Sequence, residues 1–137
     1  VMFADSPQFK GGLEFGWYKK EICQLLYGSQ SKVTTATVTL NVKEKPANPV
    51  LEIGGMDDNQ PSSKAPLEIK LNGKTIFKGK NTYPDQEWAV QAFPLKADDL
   101  VIGTNTVEIQ NTGEGPQRSI PWFGVSFVRI RSSDGKL

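Results

Sequence analysis

The strongest constraint on the fold of this chain lies in residues 33–42, VTTATVTLNV. Ala36, Val38, Leu40 and Val42 fall on one side, and Thr35, Thr37, Thr39 and Asn41 on the other. Period-two alternation of β-branched residues makes a half-buried strand and lays no apolar stripe along a helix. The pattern returns in Leu67, Ile69 and Leu71, which alternate with Glu68 and Lys70 and run into Asn72-Gly73 before residues 75–77. Asn-Gly between alternating runs predicts a hairpin with a type I′ turn, because both central residues need positive φ. Residues 50–53 read as a short strand stopped by Gly54-Gly55, and residues 88–95 and 105–109 as further strands. Residues 122–130 (WFGVSFVRI) are apolar on both faces, as a strand central in its sheet would be. Residues 21–27 (EICQLLY) suit two helical turns or a strand, and so short a run decides neither. Roughly eight strands separated by Gly and Pro turns predict an all-β, antiparallel β-sandwich.

Composition narrows the chemistry. The chain has 137 residues, no histidine and one cysteine, Cys23. Without histidine, no Ser–His or Cys–His couple forms within the chain, and the usual His/Cys zinc sites are out of reach. A lone cysteine makes no internal disulfide. Sixteen basic and fifteen acidic residues are scattered, for a net charge of +1, which leaves no electrostatic footprint for nucleic acid or an anionic membrane. No apolar run approaches the ~20 residues of a membrane span. One domain over residues 1–137 is expected, since domains commonly run to about 100–150 residues. The start at Val1 rather than Met suggests an excerpt from a larger polypeptide.

Strand direction alternates in an antiparallel sandwich, so connections alternate between its two ends. The Asn72-Gly73 turn marks a tight end, shared by residues 43–49 and 96–103. Residues 19–32, 55–66, 79–87 and 112–121 then gather at the other end, and longer loops on a rigid sandwich are where binding usually resides. Three clusters there carry polar chemistry. Asp57 and Asp58, beside Asn59 and Gln60, suit sugar hydroxyls or a calcium ion, or are simply turn formers. Asn81, Tyr83 and Gln86 surround Pro84 ahead of Trp88. An aromatic ring there would stack on a sugar's C–H face while the amides meet its hydroxyls; Tyr83 is expected exposed and Trp88 in the core. Arg118, in the Gly- and Pro-rich stretch 111–122, offers a planar donor fork, or is an ordinary solvated arginine; Trp122 opens the last strand as rim or core. Trp17 and Tyr18 are adjacent and so point to opposite faces of a strand, at most one of them buried.

The chain resembles galactose-binding-like jelly-roll domains of the carbohydrate-binding module type. The resemblance rests on Leu71-Asn72-Gly73-Lys74, on Leu100 with Gly103-Thr104-Asn105, and on residues 123–130, and it runs from about Val33 to Arg131. It implies a module appended to a bacterial polysaccharide-degrading enzyme, secreted or at the cell surface, monomeric and without catalysis of its own. Its partners would be a polysaccharide or oligosaccharide and a catalytic domain in the same polypeptide. Expected sugar contacts are drawn from Trp17, Tyr18, Asp57, Asp58, Asn81, Tyr83, Gln86, Arg118 and Trp122. No cofactor is required. Many such domains hold a structural calcium between early and late strands, but Arg129 and Arg131 stand in the last strand here where an acidic ligand would be wanted. A structural domain packed on a catalytic neighbour is the alternative. A glycosidase needs only two carboxylates about 5–10 Å apart, and Asp57, Asp58, Asp85, Glu87 and Glu114 are the candidates, without a catalytic motif around them.

Overall fold

The computed structural model describes residues 1–57, 64–115 and 121–133. The strands are β1 (Met2–Phe3), β2 (Phe9–Lys10), β3 (Leu13–Tyr18), β4 (Glu21–Leu26), β5 (Thr35–Val42), β6 (Pro49–Asp57), β7 (Pro66–Leu71), β8 (Lys74–Lys80), β9 (Ala89–Pro94), β10 (Gly103–Asn111) and β11 (Phe123–Ser132). They form two antiparallel sheets, ordered β3-β4-β11-β6-β9, with β1 also on β11, and β2-β5-β10-β7-β8. The predicted all-β antiparallel sandwich is what the chain adopts.

The second sheet follows directly from the alternation. Ala36, Val38 and Leu40 of β5 and Leu67, Ile69 and Leu71 of β7 are buried, and the threonines and charges between them face out. They pack against Leu51, Ile53, Phe123, Val125 and Val128 of the first sheet in one core. Asn72 and Gly73 take positive φ, 52° and 84°, in the β7–β8 turn, as the Asn-Gly pair requires. Asn72 also accepts a bond from Thr106 N (2.9 Å) and donates to Asp99 O (3.1 Å), so residues 96–100 lie at the same end, as strand parity predicts.

One segment departs from expectation, and another that was open between helix and strand is decided. Gly54-Gly55 does not stop a strand; both lie inside β6, all nine residues of which are buried. A Cβ on Gly54 would collide with the Phe127 ring and one on Gly55 with Phe123, so these glycines admit aromatic rings against the backbone. Residues 21–26 are strand β4, paired with β3 through a turn in which Lys19 and Lys20 take φ of 47° and 74°.

Gln24 and Leu26 of β4 face the core, while Cys23, Leu25 and Tyr27 form a second cluster on the outer side. Cys23 is 2% exposed, and burial pushes its thiol up to about 11. At pH 8 its modification by a disulfide reagent is expected to run more than about 100-fold slower than that of the unfolded chain, on ionisation alone. Rapid labelling of the native protein would contradict this placement.

Candidate functional site

The loop end is built on buried polar side chains. Asn111, at the end of β10, is fully buried. Its Nδ2 donates to Leu26 O and Pro121 O, both at 3.0 Å, and its Oδ1 accepts from Gly113 N at 2.9 Å. One side chain thus joins β4, β10 and the approach to β11. Gly28 lies so close to the Gly113–Gly115 backbone that a Cβ would stand 2.6 Å from Gly115 N. Ser29 N and Gln30 N donate to Gly113 O and Gly115 O, which closes the two loops on each other.

A second knot lies where β6 ends and β7 begins. Asp57, 0% exposed, accepts from Ala65 N (3.3 Å) and lies 3.4 Å from Lys64 Nζ. Lys64 also donates to Asp85 Oδ1 (2.9 Å) and to Tyr83 O. Burial alone lowers the ammonium's pKa, but the Asp85 hydrogen bond and the two carboxylate charges outweigh it and hold it above the ordinary lysine value. Asn81 Nδ2 donates to Ala65 O (2.7 Å) and Asn81 Oδ1 accepts from Tyr83 N (3.0 Å).

On the outer face of the first sheet these supports frame an aromatic groove. β4 pairs with β11 only at residues 24–26, and β1 takes the β11 edge beyond. The tip of the β3–β4 hairpin reaches residues 86–88 instead. There Trp88 Nε1 donates to Tyr18 O (2.9 Å) and Lys19 Nζ to Gln86 O (3.0 Å). The Trp88 ring lies over Gly124, where a Cβ would stand 3.1 Å from it. Phe15, Tyr18, Leu25, Tyr27 and Trp122 line a cavity of about 160 Å³. Tyr18 stands edge-on to Phe15 at 5.6 Å and to Trp122 at 6.4 Å. The rings are held by neighbours and by a main-chain hydrogen bond, so the groove is shaped before any ligand arrives.

The structure sorts the sequence-derived candidates. It brings Tyr18 and Trp122 together in the groove. Trp17, its neighbour on the other side of β3, is 73% exposed and outside it. Gln86 is at the rim with an exposed side chain. Tyr83 is a correction: it is 1% exposed, not a loop-tip ring, because its hydroxyl donates to Ile53 O (2.8 Å) and its ring packs on Phe123. Asp57 and Asn81 are likewise buried, Asp57 turned to Ala65 N and the Lys64 ammonium and Asn81 to main-chain groups of Ala65 and Tyr83. Trp88 is only half-buried, on the outer face rather than in the central core. Asp58 and Arg118 lie outside the described residues. Phe15, Leu25 and Tyr27 were not among the candidates. The lost signal is the bulge between Glu14 and Gly16, which puts Phe15 on the side of Tyr18 despite their odd spacing.

This groove-bearing sandwich has the fold of carbohydrate-binding modules of known structure. The CBM36-1 domain of a multidomain xylanase from the hindgut metagenome of Trinervitermes trinervoides superimposes with a TM-score of 0.65 at 16% identity, over 96% of this chain and 95% of that one. A family 35 carbohydrate-binding module from an environmental isolate gives 0.61 at 11% identity, over 96% and 92%. A CBM36 module in complex with calcium and xylotriose gives 0.58 at 13% identity, over 95% and 97%. No family model matches the chain, and no curated protein matches it.

Of the residues that the sequence offers to a calcium ion, Asp57 alone is among those described. Among the described residues, no group of three or more His, Cys, Asp or Glu is placed to hold a metal. Three of the described carboxylates, Glu52, Asp57 and Asp85, already face cationic side chains. Glu52 of β6 is bound by Arg129 (2.6 Å) and Arg131 (2.8 Å) of β11, and hydrogen bonding from Arg131 above all holds its carboxyl below the usual range. Asp57 and Asp85 share Lys64.

Proposed function

We propose that this chain is a non-catalytic carbohydrate-binding module that holds a linked polysaccharide-degrading enzyme at its glycan. The observation that carries this reading is the preformed aromatic groove of Phe15, Tyr18, Tyr27 and Trp122 at the loop end. Aromatic rings offer apolar faces to the C–H faces of sugar rings. Lys19 and Gln86 stand nearby for hydroxyl groups, and Asp58, Arg118 and Trp17 are proposed as further contacts. The enzyme in the same polypeptide and a secreted or cell-surface location belong to the same proposal.

The test is retention on plant, algal and bacterial polysaccharides by affinity electrophoresis. Trp122→Ala and Tyr18→Ala are each expected to weaken binding about 30-fold, equivalent to ~2 kcal/mol for an anchor residue, with the circular dichroism unchanged. Full retention by both variants would remove the groove from the reading. The isolated chain is expected to release no reducing sugar.

One observation favours a second reading. Phe3, 48% exposed, pairs with Phe127, which packs on Gly54 next to Val90, 50% exposed. This apolar stripe suits a face covered by a neighbouring catalytic domain. Failure to bind any glycan, with tight association to the parent enzyme, would favour it.

A further inference from the structure

The outer groove depends on where residues 81–88 are held, and beside neutral hydrogen bonds a charge holds them. Lys64 Nζ sits among three oxygens, Tyr83 O, Asp85 Oδ1 and Asp57 Oδ2. These are a main-chain carbonyl and two carboxylates, the oxygen types that coordinate a hard cation. Around them Gln86 N donates to Asp57 O (3.3 Å), and a parallel bridge joins Asp57 to Asp85. The end of β6, the start of β7 and the 81–86 segment therefore converge on one ammonium. We infer that Lys64 is the resident cation of this loop end, a positioning residue that closes it without calcium.

The electrostatics require a cation there. Asp57 is buried, and a buried carboxylate without a compensating charge is strongly unfavourable. Two carboxylates and one ammonium leave the cradle with a single negative charge. A divalent ion entering it would meet the ammonium at contact distance, so lysine and metal exclude each other. The side chain of Lys64 is 21% exposed, and an ion taking its place would have to unmake all three contacts. Residues 86–88 follow directly from the cradle and carry the Gln86 carbonyl and Trp88 indole that anchor the β3–β4 hairpin. This inference stands whether or not the groove binds a glycan.

The experiment is thermal unfolding of the chain with a chelator and with millimolar calcium, alongside terbium luminescence excited through tryptophan. Wild type is expected to melt at the same temperature in both and to sensitise no terbium. Lys64→Met is expected to melt about 10 °C lower, as a buried carboxylate loses the ammonium beside it, and to regain stability in calcium. Lys64→Arg restores the charge and is expected to melt near wild type without responding to calcium. Should Lys64→Met not fold, Lys64→Met/Asp57→Asn removes the stranded carboxylate and is expected to fold. Calcium stabilisation of wild type, or a Lys64→Met protein as stable as wild type and indifferent to calcium, overturns the inference.

Discussion

Tyr83→Ala is expected to lower the free energy of unfolding by about 4 kcal/mol, the usual range for removing a buried aromatic side chain. Tyr83 is among the largest fully buried side chains of the molecule. Its ring meets Phe123 edge-on at 5.0 Å and lies against Gly55, so the space left by alanine is walled by strand backbone that cannot collapse into it. Burial also pushes the phenol well above its ordinary pKa, since the charged form has no solvent there. Tyr83→Phe keeps the ring and loses only the bond to Ile53 O, for about 1–2 kcal/mol. Equilibrium unfolding in guanidinium chloride measures both. If the alanine variant unfolds at the wild-type midpoint, the buried placement is wrong. Tyr83→Phe is also expected to leave glycan retention unchanged, because Tyr83 lies on the core side of the sheet and the groove on the other.

Asn111→Ala carries the second large effect. Asn111 has 0% exposure and its amide satisfies two carbonyls and one amide N–H, from three separate segments. Alanine leaves those groups unpaired away from water, at about 3 kcal/mol in total. Asn111→Asp is expected to be no better. It exchanges a two-bond donor for a buried negative charge facing the Leu26 and Pro121 carbonyls. Because Pro121 precedes Trp122, the alanine variant is also expected to show a changed tryptophan emission spectrum in the folded state. An unaltered spectrum together with wild-type stability would show that the amide does not organise this end.

How legible each part was follows from how its side chains are shared between faces. The β5–β10–β7 region was readable because its sheet has one dry side and one wet side. The apolar residues of β5 and β7 therefore repeat every second position, and Asn72-Gly73 announces the turn between β7 and β8. β4 was ambiguous because it is dry on both sides. Gln24 and Leu26 enter the core while Cys23, Leu25 and Tyr27 fill the outer cluster, so the alternation disappears. Gln24 in particular looks like a surface residue, yet it is 1% exposed and its amide donates to Ala4 O and Phe9 O. The glycine pair in β6 looked like a strand stop because local propensity carries no information about the Phe127 and Phe123 rings lying on those glycines. Trp17 and Tyr18 were readable as opposite-facing, since that depends only on the pleat.

The sequence by itself determined the sandwich, its tight end and its loop end, because alternation, turn chemistry and strand parity act between near neighbours. Only the tertiary structure decided which loop residues are exposed and which rings meet. Tyr83 was drawn inward by Ile53 and Phe123, Lys64 was set between Asp57 and Asp85, and Tyr18 was carried to Trp122 by a hairpin tied to Trp88. These are contacts between residues as many as 104 positions apart, as between Tyr18 and Trp122. Their free energy comes from burial and pairing in three dimensions, which no local pattern encodes.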